Sequence, residues 1–300
     1  MESKSTVCEI CSGSQELLYA DVKNQEGWID CNFSGLSAYQ CKYCGLIEFH
    51  PQICENLENL YPNDYLDRGN RGRIHQGLLN LAEILEVRRL KRMKEVRILD
   101  YGSGGGEWVS RATKGGLDVF GYEPFTKNTT RRIVNDFSDL PDSNEFSLVR
   151  LEHVIEHFID LEPHLQQIRR ILAPEGIVQI TTPDAESISR KLFGRYWGYL
   201  HVPHHTRIFS EKSLTAVMEA SGFEKINKTV FPLNLCTAIS LENLVRLSLA
   251  RPVRGHLSIF PGLLIIGLLC ESLLRLVVRR TSAMRLQFKR THSNSLISNE

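Results

Sequence analysis

What this 300-residue chain lacks narrows its class before any motif is read. Met1 to Glu9 is polar and no apolar signal segment follows it, so the sequence predicts a cytoplasmic protein. In that setting the eight cysteines are expected as metal ligands or free thiols, not disulfides. No uncharged run reaches the ~20 residues that a membrane-spanning helix needs. Leu257 to Cys270 is free of charge, but Glu271 and Arg275 interrupt the apolar run beyond it. Internal repeats and low-complexity segments are absent, which leaves one large domain or two smaller ones.

What is present is ordinary in composition, with 42% apolar and 24% charged residues. The net charge is only +1, but it is unevenly spread. Residues 246–300 hold nine Lys/Arg against two acidic residues, leaving 27 basic against 33 acidic residues before them. Such asymmetry predicts that the C-terminal stretch meets something anionic.

Two C-x-x-C units, Cys8-Glu9-Ile10-Cys11 and Cys41-Lys42-Tyr43-Cys44, are separated by 29 residues. Each unit turns two sulfurs to one side of a tight loop, and two units supply a tetrahedral four-sulfur set of the kind that holds structural zinc. The predicted metal ligands are Cys8, Cys11, Cys41 and Cys44, with a hairpin expected in the spacer. Cys31, Cys54, Cys236 and Cys270 lack partners at ligand spacing.

Farther along, Ile74, Leu78, Leu81 and Leu85 recur at helical spacing and predict a helix over about 73–94. Val96 to Tyr101 reads as a buried strand, followed by a glycine run and a helix over about 107–114 stopped by Gly115-Gly116. Strands are expected at 117–122, 146–152, 176–181 and 223–231, and helices at 160–172 and from the N-cap Ser210 to about 221. Alternation of this kind predicts an α/β fold, a mostly parallel sheet covered on both faces.

The loop Asp100-Tyr101-Gly102-Ser103-Gly104-Gly105-Gly106 lies between a strand and a helix. Its glycines let the backbone approach a ligand closely. Glu107 stands where a dinucleotide fingerprint needs a third glycine, and an acidic opening suits a cation better than a phosphate. This D-x-G-x-G-x-G segment resembles motif I of class I S-adenosylmethionine-dependent methyltransferases. Leu151-Glu152-His153-Val154-Ile155-Glu156-His157 resembles the "hvlEH" segment of that family's small-molecule branch. Arg169 to Gly176 resembles its "r-L-k-p-G-G" turn, and Pro203 to Ser210 its "H…fs" segment.

The resemblance covers about residues 72–231 and implies a Rossmann-like doubly wound sheet. It implies S-adenosylmethionine as cofactor, held by Asp100, Tyr101, Gly102, Ser103, Gly104 and Gly106. Glu123 would take the ribose hydroxyls, with Asp136 near the adenine and Glu152 on the cofactor side. Histidine suits a general base, because its pKa lies near neutrality. The candidates are His153, His157 and His204, with His201 and His205 in the same loop as the last. The segment at 151–154 is not the [DN]-P-P-[FYW] of the family's nitrogen-methylating branch. The preceding cysteine units resemble those of sugar-modifying members.

The implied organisation is a zinc-binding knuckle over 1–55, a methyltransferase core over 72–232 and a helical apolar tail over 233–300, with no evident seventh strand after Phe231. The expected reaction is O-methylation of a small molecule or glycan precursor. The alternatives are a sugar C-methyltransferase, a zinc-knuckle RNA-binding protein or an inactive scaffold. Nucleic acid is disfavoured, because no aromatic residues interleave with the basic ones in the tail. Over 257–290 the apolar run beside Arg279, Arg280, Arg285, Lys289 and Arg290 predicts an interfacial anchor on an anionic membrane, with a packed helix that completes the domain and a true transmembrane helix as the alternatives.

Overall fold

The computed structural model describes residues 7–22, 36–51, 83–92, 96–141, 144–230, 235–249, 251–252, 261–277 and 279–291. Cys31, Cys54, the turn-rich stretch after Tyr61, Ile74, Leu78, Leu81 and residues 292–300 lie outside them.

Two sheets organise these residues. The larger joins β4 (Arg97–Tyr101), β5 (Asp118–Tyr122), β6 (Ile133–Val134), β7 (Phe146–Glu152), β8 (Leu172–Pro183), β10 (Phe223–Val230) and β11 (Ala283–Arg290). Their spatial order is β10-β11-β8-β7-β4-β5-β6. The β4, β5, β6, β7 and β8 neighbours pair in parallel, and β11 runs antiparallel to both β8 and β10. The smaller sheet has the order β1-β2-β3-β9, from β1 (Gln15–Tyr19), β2 (Ser37–Cys41), β3 (Ile47–His50) and β9 (Arg207–Ile208).

The strands form because their residues are apolar and β-prone where the sheet is covered on both faces. Ile98, Leu99, Val149, Leu151, Val178 and Ile180 are all fully buried. Helix α1, described over residues 83–90, turns Val87 and Leu90 inward. Leu85, expected on that apolar face, is instead exposed. Helix α2 (Glu107–Lys114) buries Trp108, Val109 and Ala112, and Gly116, in the left-handed region, follows its end as the sequence predicts. Helix α3 (Glu162–Ile171) connects β7 to β8. Helix α4 (Ile188–Phe193) opens on Ser187, whose hydroxyl accepts from the Arg190 N–H. Helix α5 (Glu211–Ala220) starts on a capping box in which Ser210 and Ser213 satisfy each other's backbone N–H groups.

The C-terminal end departs from the sequence-based expectation. Helices α6 (Cys236–Ser248) and α7 (Pro261–Val277) are helical as expected. The basic stretch after them is not a free tail, and the seventh strand exists. Ala283–Arg290 is β11, inserted between β8 and β10. Met284, Leu286 and Phe288 point into the core, while Arg285, Gln287 and Lys289 alternate with them. Four of the five cations assigned to a membrane are committed to the body, Arg280 through Glu186 at 3.0 Å. Arg285 pairs with Glu86 and Glu152, Lys289 with Glu224, and Arg290 donates to Asn144.

Candidate active site

The candidate residues gather at the C-terminal ends of the parallel strands, where ligands of open α/β sheets bind. β4 delivers Asp100 and Tyr101 into the glycine loop. Gly102, Gly104 and Gly106 all have left-handed backbones, at φ +79°, +56° and +78°. A Cβ at Gly102 would stand 2.5 Å from Val154, and one at Gly106 would stand 2.2 Å from Ile133. The loop is therefore bound to glycine twice over, by dihedral and by contact. It hangs from β5, because Gly102 and Ser103 both donate to the Tyr122 carbonyl. Glu123 accepts from the Gly104 N–H at 3.0 Å and from the Phe125 N–H at 3.2 Å. Burial raises the Glu123 pKa, and those two bonds offset the rise only in part. The Ser103 hydroxyl beside them is buried without a hydrogen-bond partner among the described residues. Asp136 is exposed, accepts from Ser138 and is kept acidic by those bonds.

Below the loop lies a charge cluster that sequence reasoning missed. Arg150, buried on β7, stands 2.7 Å from Asp100, 3.3 Å from Glu152 and 3.4 Å from Glu86. Its guanidinium also lies 4.4 Å above the centre of the Trp108 ring. Arg285 of β11 stands 3.0 Å from Glu152 and 3.1 Å from Glu86. Among the described residues three carboxylates thus meet two guanidiniums, and the imbalance favours an added cation. Burial pushes the Asp100 carboxyl up to about 6, with Arg150 pulling it back. A cationic ligand binds best to ionised Asp100, so its affinity is expected to fall as pH drops through about 6. Calorimetric titration across that range checks this, and Asp100→Asn should flatten the dependence.

The histidines gather after β7 around one buried carboxylate. Glu156 is fully enclosed and accepts from the Thr182 hydroxyl at 2.9 Å. Its other oxygen lies 3.2 Å from His153 Nδ1 and 4.0 Å from His205 Nε2. Burial would raise the Glu156 pKa, but His153 and His157 keep it low. His153 sits in the left-handed region at φ +54° and its ring lies 5.3 Å from that of Tyr199. His201 is left-handed too, at φ +47°. Strained backbone at non-glycine residues concentrates at functional sites.

His157 Nδ1 meets the His204 carbonyl at 3.1 Å, and its ring lies 4.9 Å from His205. Burial lowers the pKa of His157, and of His205 further. Donor atoms of Glu156, His157 and His205 lie within 4.8 Å of one another. All three predicted bases, His153, His157 and His204, therefore fall in one cluster. His153 combines contact with the carboxylate and access to solvent, with 29% of its side chain exposed.

The four cysteines converge as predicted, their sulfurs all within 4.8 Å of one another. Cys8 and Cys44 are 3.6 Å apart, and Cys11 and Cys41 are 3.4 Å apart. Sulfurs around tetrahedral zinc lie at about 3.8 Å, from Zn–S bonds of about 2.3 Å. The donor set fits zinc, with every contact from thiol sulfur. Burial raises the Cys41 pKa, but the Cys44 and Tyr43 N–H groups outweigh it and bring it to about 7. Gly13 permits the close approach, since a Cβ there would meet Tyr43 at 2.6 Å. The expected hairpin is β1 with β2, paired antiparallel.

This knuckle is fastened to the histidine segment. β3 pairs with β9, Ile47 against Ile208 and Glu48 against Arg207. The Arg207 guanidinium meets Glu9 at 2.6 Å and donates to the Ile159 carbonyl at 2.9 Å. The Ser210 hydroxyl donates to the Cys44 carbonyl, and Lys212 to that of Tyr43. Thr206 donates to the carbonyls of Glu156 and Phe158.

With the sheet order and glycine loop in view, comparison with known proteins gives the family. A family profile described as a methyltransferase domain matches residues 53–228, more than half of the chain. The chain belongs to the class I S-adenosylmethionine-dependent methyltransferases.

Among curated relatives, this methyltransferase is 26% identical over 161 residues to the ubiquinone biosynthesis O-methyltransferase of Azorhizobium caulinodans, covering 46% of the chain and 63% of that protein. It is 27% identical over 157 residues to the mitochondrial ubiquinone biosynthesis O-methyltransferase of Homo sapiens, covering 44% and 42%. The match thus spans less than two thirds of these relatives. Similar solved structures include the 1,6-didemethyltoxoflavin-N1-methyltransferase of Burkholderia thailandensis with bound S-adenosylhomocysteine, at a TM-score of 0.42 and 14% identity over 70% of this chain and 77% of that one. A SAM-dependent methyltransferase from Archaeoglobus fulgidus gives 0.43 and 17% over 69% and 94%. No helix among the described residues of the methyltransferase is long and apolar enough to cross a membrane.

Proposed function

We propose that the chain transfers a methyl group from S-adenosylmethionine to a hydroxyl oxygen of a small molecule, with His153 as general base. The observation that carries this reading is the His153–Glu156 pair, a strained histidine held by an enclosed carboxylate at the end of the strand next to β4. When bound, S-adenosylmethionine supplies a methyl already activated by its sulfonium. What remains for the protein is alignment and proton removal.

Gly102, Gly104 and Gly106 shape the cofactor bed, with Tyr101 and Ser103 in the same loop. Glu123 exchanges its bond from the Gly104 N–H for the ribose diol, a donor pair that a carboxylate accepts well. Asp100 and Glu152 would supply the negative field for the cofactor's cationic end, and Asp136 would serve the adenine end. Glu156 fixes the ring of His153, whose second nitrogen takes the acceptor's proton as oxygen attacks. His157 and His204 support this pair from behind. Cys8, Cys11, Cys41 and Cys44 would hold a structural zinc ion through four thiol sulfurs.

Both curated relatives are named as O-methyltransferases, which supports a hydroxyl acceptor over carbon. Their naming for ubiquinone biosynthesis supports an amphiphilic aromatic acceptor over a glycan precursor. A glycan or sugar acceptor stays as the second reading on the strength of the cysteine knuckle. The pairing of Arg285, Lys289 and Arg290 within the sheet counts against an RNA-gripping tail.

Calorimetry tests the cofactor assignment. The intact chain is expected to bind S-adenosylmethionine, and Gly104→Arg to abolish binding, because the new side chain enters the bed from a left-handed backbone. Undiminished binding in that variant sinks the assignment. A labelled-methyl assay on catechols and on sugar nucleotides separates the two acceptor readings.

A further inference from the structure

The hairpin of α6 and α7 has two unlike sides. Inward, it is tied to the body by polar bonds. Glu271 accepts from the hydroxyls of Thr237 and Ser282 and from the Ser282 N–H. Gly267 lies directly against the Ala238 backbone, where a Cβ would stand 2.5 Å away. Outward, α7 shows Ile265, Ile266, Leu269, Leu273, Leu276 and Val277, between 50% and 80% exposed. These positions recur at three- and four-residue steps, so they form one stripe along the helix. Leu244, Leu247 and Leu249 are exposed at the end of α6. An aliphatic stripe of this size on a protein surface marks a contact.

Charge says what kind. Both acidic residues of the hairpin face inward, Glu271 as described and Glu242 paired with Arg246 at 3.0 Å. The exposed ionic residues described there are cations, Arg275 in α7, Arg279 beyond it and Arg251 after α6. A second copy packed on this stripe would set arginines against arginines with no described acid between them. Among the described residues the face carries no exposed aromatic side chain on which a nucleobase would stack.

We infer that the outward face of α7 lies flat on an anionic lipid bilayer, aliphatic side chains in the acyl boundary and Arg275, Arg279 and Arg251 at the headgroups. This deepens the methyl-transfer reading on its acceptor side, although the docking itself stands without it. The inward bonds of Glu271 forbid the helix from turning or sinking alone, so it seats in the plane and carries the domain with it. α6 meanwhile backs the wall of the histidine site. The Gly198 N–H donates to Ser240, Asn243 donates to the Tyr196 carbonyl, and Tyr199 next in that segment touches His153. Seating α7 thus brings the acceptor side near the lipid surface, where an amphiphilic hydroxylated acceptor resides.

Vesicle flotation with the full chain tests this. Vesicles of equal phosphatidylcholine and phosphatidylglycerol are expected to carry the protein up, with binding weaker by roughly tenfold on pure phosphatidylcholine. Leu269→Glu with Leu273→Glu should abolish flotation. Arg275→Glu with Arg279→Glu should reduce it to the neutral-vesicle level. All four positions are exposed, and cofactor affinity measured on the same samples reports that the domain is intact. Failure of the intact chain to float with either vesicle overturns the proposal, as does equal binding to both. So does a dimer in light scattering that the Leu269/Leu273 pair dissociates without any vesicle binding. A chain that floats but binds no cofactor refutes the methyl-transfer reading and leaves the docking standing.

Discussion

His153→Gln is expected to slow methyl transfer by roughly 10²–10⁴-fold while cofactor affinity stays within error. The split comes from position. His153 follows β7 and touches Glu156 and Tyr199, whereas the proposed cofactor bed is the glycine loop and Glu123. Its backbone N–H bonds to the Thr181 carbonyl at 2.8 Å, so a side-chain change leaves the segment anchored. Single-turnover rates with labelled cofactor and calorimetric titration of the same protein read the two quantities separately. Glu156→Gln is expected to fall between wild type and His153→Gln, because the amide still accepts from Thr182 but no longer stabilises a charged imidazole. The split between rate and cofactor affinity is a readout that a purely structural role would not give. An unchanged rate in His153→Gln would move the base to His157, whose burial lowers its pKa and keeps it neutral further into acid.

Cys41→Ser with Cys44→Ser is expected to abolish metal binding, measured as loss of about one zinc per chain by atomic absorption. Structural zinc in small modules contributes on the order of 10 kcal/mol to local folding, so the knuckle should open to protease. The damage should not stop there. β9 is the fourth strand of the knuckle sheet, and Arg207 and Thr206 join it to the carbonyls of Glu156, Phe158 and Ile159. Turnover should therefore drop by roughly 10²-fold through misplaced histidines. The glycine loop hangs from β5 and Glu123, outside that chain of bonds, and cofactor affinity should change little. Equal loss of cofactor binding and turnover would show instead that the knuckle supports the whole domain.

Much of this site is readable from sequence because its signals are local. A strand, three glycines at alternate positions and a helix of eight residues stopped by Gly115 lie within one short stretch. The cysteine pairs carry their own geometry, and the Glu-His segment follows a strand whose bounds the pattern gives directly. β11 escaped because five cations in the stretch from 279 to 290 read as a surface. The period-two alternation of Met284, Leu286 and Phe288 with Arg285, Gln287 and Lys289 was the available sign. Arg150 had no such sign. A buried arginine in a strand is offset by Asp100, Glu152 and Glu86, and only the folded chain brings those three together. The same holds for Glu156, which reads as half of a motif but proves to be the centre around which His153 and His205 are set.

The place of β11 also bears on biogenesis. It separates β10 from β8, although the chain makes it only after β10, α6 and α7. During synthesis β10 has no place in the large sheet until residues 283–290 leave the ribosome. Nascent chains halted before that point should expose the unpaired edge of β8 and depend on chaperones. Arg285 arrives with the same strand, so the charge cluster under the proposed cofactor bed is completed only once β11 is made. Premature products would then lack a closed sheet, and Glu86 and Glu152 would lack their second arginine partner.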